Sequence, residues 1–406
     1  MECWIDPDSA LRDCWVDSEP EPYIPAIKQI GNKLQEQYET TISMRVRYRL
    51  LLDPTNGELE KFCKAQRRIA KTERVLFHYN GHGVPKATIN GEIWSFNRSW
   101  TQYIPIPMDK LMDWLGSPCI YVWECSAAGN LVEAFKTLAE ARDQSTNSEI
   151  QASPPGSAYR SSFHFGACQR NEDLPVNPGL PADLFTSCLT SPIETALHVY
   201  ALQNPLLFQF TADQARQLPG KQSDRMTPKG YLHWVFMSVT DAIAWSVLPL
   251  PVFRKLFRAD IVVAGLFRGF LLADRLMRLY NCHPISIPEL PTTHNHPMWD
   301  AWDLAVAQCL SHLPKLLEET KKRDRDEGTR EHAENTCEEA GKHTDPQTEA
   351  RPEEPLLPVS VPHYSTFFEE QLTAFEVWLD TSALSRETPL QLPIVLQVFR
   401  TPPYQF

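Results

Sequence analysis

Val75-Leu76-Phe77-His78-Tyr79-Asn80-Gly81-His82-Gly83 decides the fold of this chain when set beside Cys119-Ile120-Tyr121-Val122-Trp123-Glu124-Cys125-Ser126. Each stretch opens on a short run rich in β-branched and aromatic side chains, then breaks into polar and turn residues. Runs of this kind are the mark of strands buried on both faces of a parallel sheet. In an open α/β sheet, ligands and chemistry collect beyond the carboxyl ends of the strands. The reading therefore puts His82 and Cys125 on one rim. Caspase-type cysteine proteases use such a pair, with the His about 50 residues before the Cys; the separation here is 43.

Bulk properties narrow the function. The chain has 406 residues, 42% hydrophobic and 22% charged, ordinary for a globular protein of two or three domains. A net charge of −12 argues against nucleic acid or an anionic membrane surface as the main partner. Half of that excess lies between Glu318 and Glu354, where acids outnumber bases 13 to 7. The ten cysteines show no Cys-x-x-Cys pair, and Cys119, Cys188 and Cys309 lie in apolar runs as small hydrophobes. With no signal peptide at Met1-Glu2-Cys3-Trp4, a reduced, cytoplasmic chain is expected. The most apolar stretch, 261–273, is broken by Arg268 and too short to span a bilayer, so no direct membrane insertion is expected.

Residues 1 to about 175 read as α/β. Helices are expected around 34–38, 59–69, 108–115 and 130–142, with Gly116 and Pro118 stopping the third. Asn90-Gly91, between alternating residues in 88–94, predicts a hairpin turn. From Ala182 onward the pattern is helical, at 182–189, 193–203, 232–247, 252–257, 261–280 and 298–317. Residues 318–356 are charge-dense and nearly free of large apolar side chains, which reads as a disordered linker. Apolar helices resume at 367–379 and 390–399, in the manner of an α-solenoid.

The chain resembles the Raptor family, the regulatory-associated proteins of the kinase TOR. The residues that carry the likeness are His78-Tyr79-Asn80-Gly81-His82-Gly83-Val84-Pro85, Asn90-Gly91-Glu92-Ile93-Trp94 and Thr101-Gln102-Tyr103-Ile104-Pro105. Further matches run from Leu180 to Thr190, Ala242 to Pro249, Ala301 to Ala305 and Gln371 to Phe375. The resemblance implies a caspase-like α/β domain, mostly parallel sheet flanked by helices, over 1–175. A helical continuation over 176–317, the linker at 318–360 and the first armadillo- or HEAT-like solenoid helices over 361–406 follow. Family members carry a strand upstream of Cys3 to Pro7 and continue into more solenoid and a propeller. On that comparison the chain is expected to be a truncated product.

For function, the resemblance implies a non-enzymatic scaffold of TOR complex 1 that brings substrates bearing a short TOS peptide, alternately apolar and acidic, to the kinase. The implied partners are TOR kinase, TOS-motif proteins and Rag-type GTPases, with recruitment to the lysosomal surface; no cofactor is implied. Arg225, in Asp224-Arg225-Met226-Thr227-Pro228, is the residue the resemblance assigns to an acidic group of that peptide, and a guanidinium suits a carboxylate. Met226 stands where relatives commonly have a second Arg.

The competing reading is a caspase-like cysteine peptidase with His82 as base and Cys125 as nucleophile. Against it, Gln-Ala-Cys-x-Gly is absent, and Glu124 beside Cys125 raises a thiol pKa rather than lowering it. The pair is therefore expected to be vestigial. His294-Asn295-His296 and Cys282-His283 lack further ligands at metal spacing and read as exposed loops, with no metal expected. Trp234, Trp245, Trp299 and Trp302 read as core aromatics.

Overall fold

The computed structural model describes residues 12–17, 23–42, 47–81, 83–97, 102–149, 161–208 and 210–340. The described residues divide into two compact units, one of those up to 199 together with 240–299, the other of those from 200 to 239 together with 300–340.

The first unit opens with two short strands, β1 (Arg12–Asp13) and β2 (Val16–Asp17), then α1 (Tyr23–Ile42) and α2 (Asn56–Ala70). A capping box starts α2: Thr55 Oγ1 accepts from the Glu58 N–H at 3.3 Å, and Glu58 Oε2 accepts from the Thr55 N–H at 2.8 Å. The two runs that set the fold are β3 (Val75–Asn80) and β6 (Cys119–Glu124). Between them lie β4 (Glu92–Asn97), β5 (Gln102–Pro107) and α3 (Met108–Leu115). They pair in parallel, with Val75 opposite Cys119 and Asn80 opposite Glu124. The sheet is completed by β7 (Phe163–Gly166), parallel to β6, and β8 (Ile285–Ile287), antiparallel to β7, in the order β3-β6-β7-β8.

Alternation along these strands builds three layers. Phe77, Tyr79, Tyr121, Trp123 and His164 share one face. There α4 (Ala128–Glu149) contributes Phe135, and Tyr79 meets the backbone of Trp94. His78, Val122, Glu124, Phe163 and Phe165 share the other, covered by α1, α5 (Leu184–Thr190) and α10 (Ile261–Arg278). All six residues of β6 are buried, as expected for the centre of a doubly covered sheet. A Cβ on Gly269 of α10 would sit 2.7 Å from Leu189 Cα and 2.8 Å from the Cys188 carbonyl oxygen, so only glycine lets α10 lie this close on α5. The unit also holds most of α6 (Pro192–Gln203), and α9 (Leu250–Phe257).

The second unit carries the short α7 (Ala212–Ala215), most of α8 (Pro228–Val247) and nearly all of α11 (Met298–Ala340). Phe236 packs on Trp302 within it, ring centroids 5.4 Å apart.

Several expectations are corrected. Asn90-Gly91 does form a turn, closed by the Gly91 N–H to the Thr88 carbonyl at 2.9 Å, but it leads into β4; the hairpin is β4 with β5. Trp299 and Trp302 are core residues, whereas Trp245 is 44% exposed. The helix expected at 298–317 continues as α11 to Ala340, into the stretch read as linker. Its Glu, Lys and Arg residues are good helix formers, and Pro314 is its only proline. The expected solenoid helices of 361–406 lie outside the described residues.

Candidate functional site

The carboxyl ends of β3 and β6 lie side by side, as the parallel register demands. The Gly81 N–H continues the ladder to the Glu124 carbonyl at 2.7 Å. A Cβ on Gly81 would stand 2.8 Å from Cys125 Cβ and 2.6 Å from the Tyr79 ring, so glycine is what lets the two strand ends close here. The residues preceding His82 thus reach Cys125; His82 itself lies outside the described residues.

Cys125 is sealed, at 1% exposure. Burial pushes its thiol pKa well up, and the neighbouring Cys168 and Glu124 push the same way. Its carbonyl accepts the Cys168 thiol at 3.4 Å, and Ala127, two residues on, holds a φ of +56° with its N–H bonded to the Glu172 carbonyl at 2.8 Å. A nucleophilic cysteine needs an exposed sulfur in an electropositive setting. Cys125 has the reverse of both.

Glu124 is also fully buried. Its Oε2 accepts the N–H and the hydroxyl of Thr186, each at 2.6 Å, tying β6 to the first turn of α5. Burial and the nearby Asp183 push its carboxyl well above the usual range, and the Thr186 bonds pull it back only in part.

Arg225 occupies an exposed turn before α8 in the second unit. The turn is tightly pinned: the Thr227 hydroxyl donates to the Asp224 carbonyl at 2.7 Å, and the Met226 N–H donates to Asp224 Oδ1 at 2.9 Å. The guanidinium lies 5.2 Å from the Trp234 ring centroid, a cation–π contact that orients it while leaving its N–H groups at the surface. Met226 beside it is 48% exposed. Cys125 and Arg225 belong to different units, so each is described on its own.

The two His-containing loops are not exposed as expected. His296 Nδ1 accepts the Met298 N–H at 3.1 Å at the start of α11, and its Nε2 lies 2.8 Å from Ser246 Oγ. Cys282 is buried, its thiol donating to the Ala167 carbonyl at 3.3 Å, and His283 Nδ1 meets Glu172 Oε1 at 2.6 Å. Sequence reasoning missed Asp183 as well. An Asp just before a helix reads as an N-cap, but this one makes no cap bond and turns instead to Cys14.

Comparison with known proteins fits this geometry. Residues 1–135 match the family described as Raptor N-terminal CASPase like domain. The chain is 48% identical over 401 residues to "Target of rapamycin complex 1 subunit mip1" of Schizosaccharomyces pombe, covering 97% of this chain and 28% of that protein. The crystal structure of Chaetomium thermophilum Raptor superposes with a TM-score of 0.73 at 44% identity, over 97% of this chain and 32% of that one. The chain belongs to the Raptor family. It is also 45% identical to "Regulatory-associated protein of TOR 1" of Arabidopsis thaliana, over all of this chain and 26% of that protein. The chain therefore spans roughly a quarter to a third of the relatives it matches. These Raptor relatives are named as regulatory subunits, not as peptidases.

Proposed function

We propose that this chain acts as part of a TOR complex 1 regulatory subunit, recruiting substrates and doing no chemistry on them. One observation carries the reading: the position where a caspase-like fold would present its nucleophile is closed. Cys125 is buried, its thiol is held protonated, and its neighbour is a buried acid. A scaffold needs none of that chemistry. It accelerates a reaction by raising the local concentration of a weakly held target.

Arg225 is the residue proposed to meet that target. An arginine on a pinned turn, laid over an indole, presents a preorganised fork to a carboxylate. TOS-type peptides, with acidic and apolar residues in alternation, offer such a carboxylate, and exposed Met226 offers an apolar contact beside it. TOR kinase and Rag-type GTPases are the proposed further partners, with a cytoplasmic location and recruitment to the lysosomal surface. Among the described residues no helix is long and apolar enough to cross a membrane. Titration of a labelled TOS peptide by fluorescence anisotropy tests the reading. Arg225→Ala is expected to weaken binding by about 1.5–3 kcal/mol, roughly ten- to a hundredfold, for one lost charge-assisted contact.

A further inference from the structure

Cys168 and Cys282 are free, buried cysteines that recruitment does not use. The sheet brings them together. Gly166, the last residue of β7, pairs with Ile285, the first of β8, so β7 leaves the sheet beside the point where β8 enters it. Cys168 stands two residues beyond Gly166, and Cys282 three before Ile285. The Cys282 thiol donates to the carbonyl of Ala167, the residue before Cys168, at 3.3 Å, and the two thiols hydrogen-bond each other. Neighbouring sulfurs on adjacent segments are what a disulfide requires.

The two sulfurs are not equivalent. The bond from Cys282 draws the Cys168 thiol below its ordinary pKa, against the opposing effect of burial. The same bond and burial push the Cys282 thiol up. Cys168 is therefore the sulfur that gives up its proton first, and the thiolate is the form that reacts. The residues flanking the pair reach the surface. Gln169, Arg170 and Asn281 are exposed, and the side chains of Glu172 and His283, joined at 2.6 Å, are 21% and 34% exposed.

We propose that Cys168 and Cys282 form an oxidation site, which a hydroperoxide closes to a disulfide that clamps the β8 edge of the sheet. The oxidant is hydrogen peroxide, scarcely larger than water, so it enters where an alkylating reagent does not. The Cys168 thiolate attacks one peroxide oxygen, the O–O bond breaks, and the departing hydroxide takes the proton Cys168 released and leaves as water. Cys168 is then a sulfenic acid. The Cys282 sulfur attacks it, the S–O bond breaks, and the hydroxide leaves with the Cys282 proton as a second water. The two thiols lose two electrons in total, and the peroxide takes both. In a reducing compartment such a bond is transient, as a redox sensor requires. It joins segments that lie 115 residues apart at Ala167 and Cys282, and a large closed loop is where a cross-link stabilises most. The clamped segment also carries Glu172, whose carbonyl holds the Ala127 N–H behind Cys125.

The test treats the full, reduced chain with hydrogen peroxide, blocks remaining thiols in denaturant and maps the peptides by mass spectrometry. A Cys168–Cys282 cross-linked peptide, lighter than its two parts by two hydrogens and released by dithiothreitol, is the expected product. The oxidised chain is expected to melt about 5 °C higher, a rise that dithiothreitol reverses. In Cys282→Ser, Cys168 should stop at the sulfenic acid, which dimedone traps, and the melt should not rise. Thermal melts before oxidation establish that this variant is folded; should it not fold, the wild-type peptide map and melt decide. Absence of the cross-link at peroxide levels that oxidise exposed methionines would overturn the proposal. A bond from Cys168 to Cys125 instead, or a Cys168–Cys282 bond that leaves the melt unchanged, would overturn it equally.

Discussion

Cys125 and Arg225 stand in opposite physical situations. A thiol 1% exposed beside a buried acid cannot easily shed its proton, and reagents cannot reach it. Iodoacetamide is therefore expected to alkylate Cys125 more than roughly tenfold slower in the native chain than in the denatured one, read by mass spectrometry of peptides. Equal rates would show that the rim opens in solution. His78 supplies a second test at this scale. It is part-buried on the face covered by α1, with Nδ1 2.9 Å from the Tyr38 hydroxyl, and desolvation of its ring lowers its pKa to about 4. The unfolded state then binds the proton more readily, so stability is fully present above pH 6.5 and is lost as pH falls from there toward about 4. The loss is on the order of 3 kcal/mol for this one residue. Melts across that window should show a shallower slope for His78→Asn; an unchanged slope would mean that other groups carry the acid sensitivity.

At the scale of elements, the contact of α10 with α5 makes a sharp prediction. Gly269→Ala brings a methyl against Leu189 Cα and the Cys188 carbonyl, backbone atoms that no rotamer change can move. A cost of about 1–3 kcal/mol is expected by chemical denaturation. Removing the Thr55 cap of α2 should cost about 1 kcal/mol. What the sequence disclosed about elements follows the same physics. Met108 to Leu115 reads as a helix because its apolar residues recur at helical spacing and Gly116 ends it, and α3 has those bounds. By contrast β7 is four residues with a His inside it, and β8 is Ile285-Ser286-Ile287 just before Pro288; such pieces become strands only through their neighbours. Pro105 and Pro107 hid β5, though both sit at alternate positions of a two-stranded ribbon, where a missing N–H is tolerated. The contact of Cys14 with Asp183 was illegible for a related reason. The two lie 169 residues apart, and only the packing of the β1–β2 turn against the start of α5 brings them together.

For the whole molecule, the fold and the family were readable from long quoted motifs, while the closure of the rim was not. Nothing in Glu124-Cys125-Ser126 announces that Cys125 is 1% exposed; that follows from tertiary packing, with Gly81 close on its Cβ and Cys168 on its carbonyl. A caspase-like rim with its nucleophile shut away, together with a separate unit that displays an oriented arginine, is the physical basis for reading this chain as a recruiter. The most direct test of that claim is one anisotropy titration of a TOS peptide against wild type, Cys125→Ala and Arg225→Ala. Cys125→Ala is expected to bind as wild type does, and Arg225→Ala to bind roughly ten- to a hundredfold more weakly. Equal affinity of Arg225→Ala and wild type, or binding that depends on Cys125, would contradict the account.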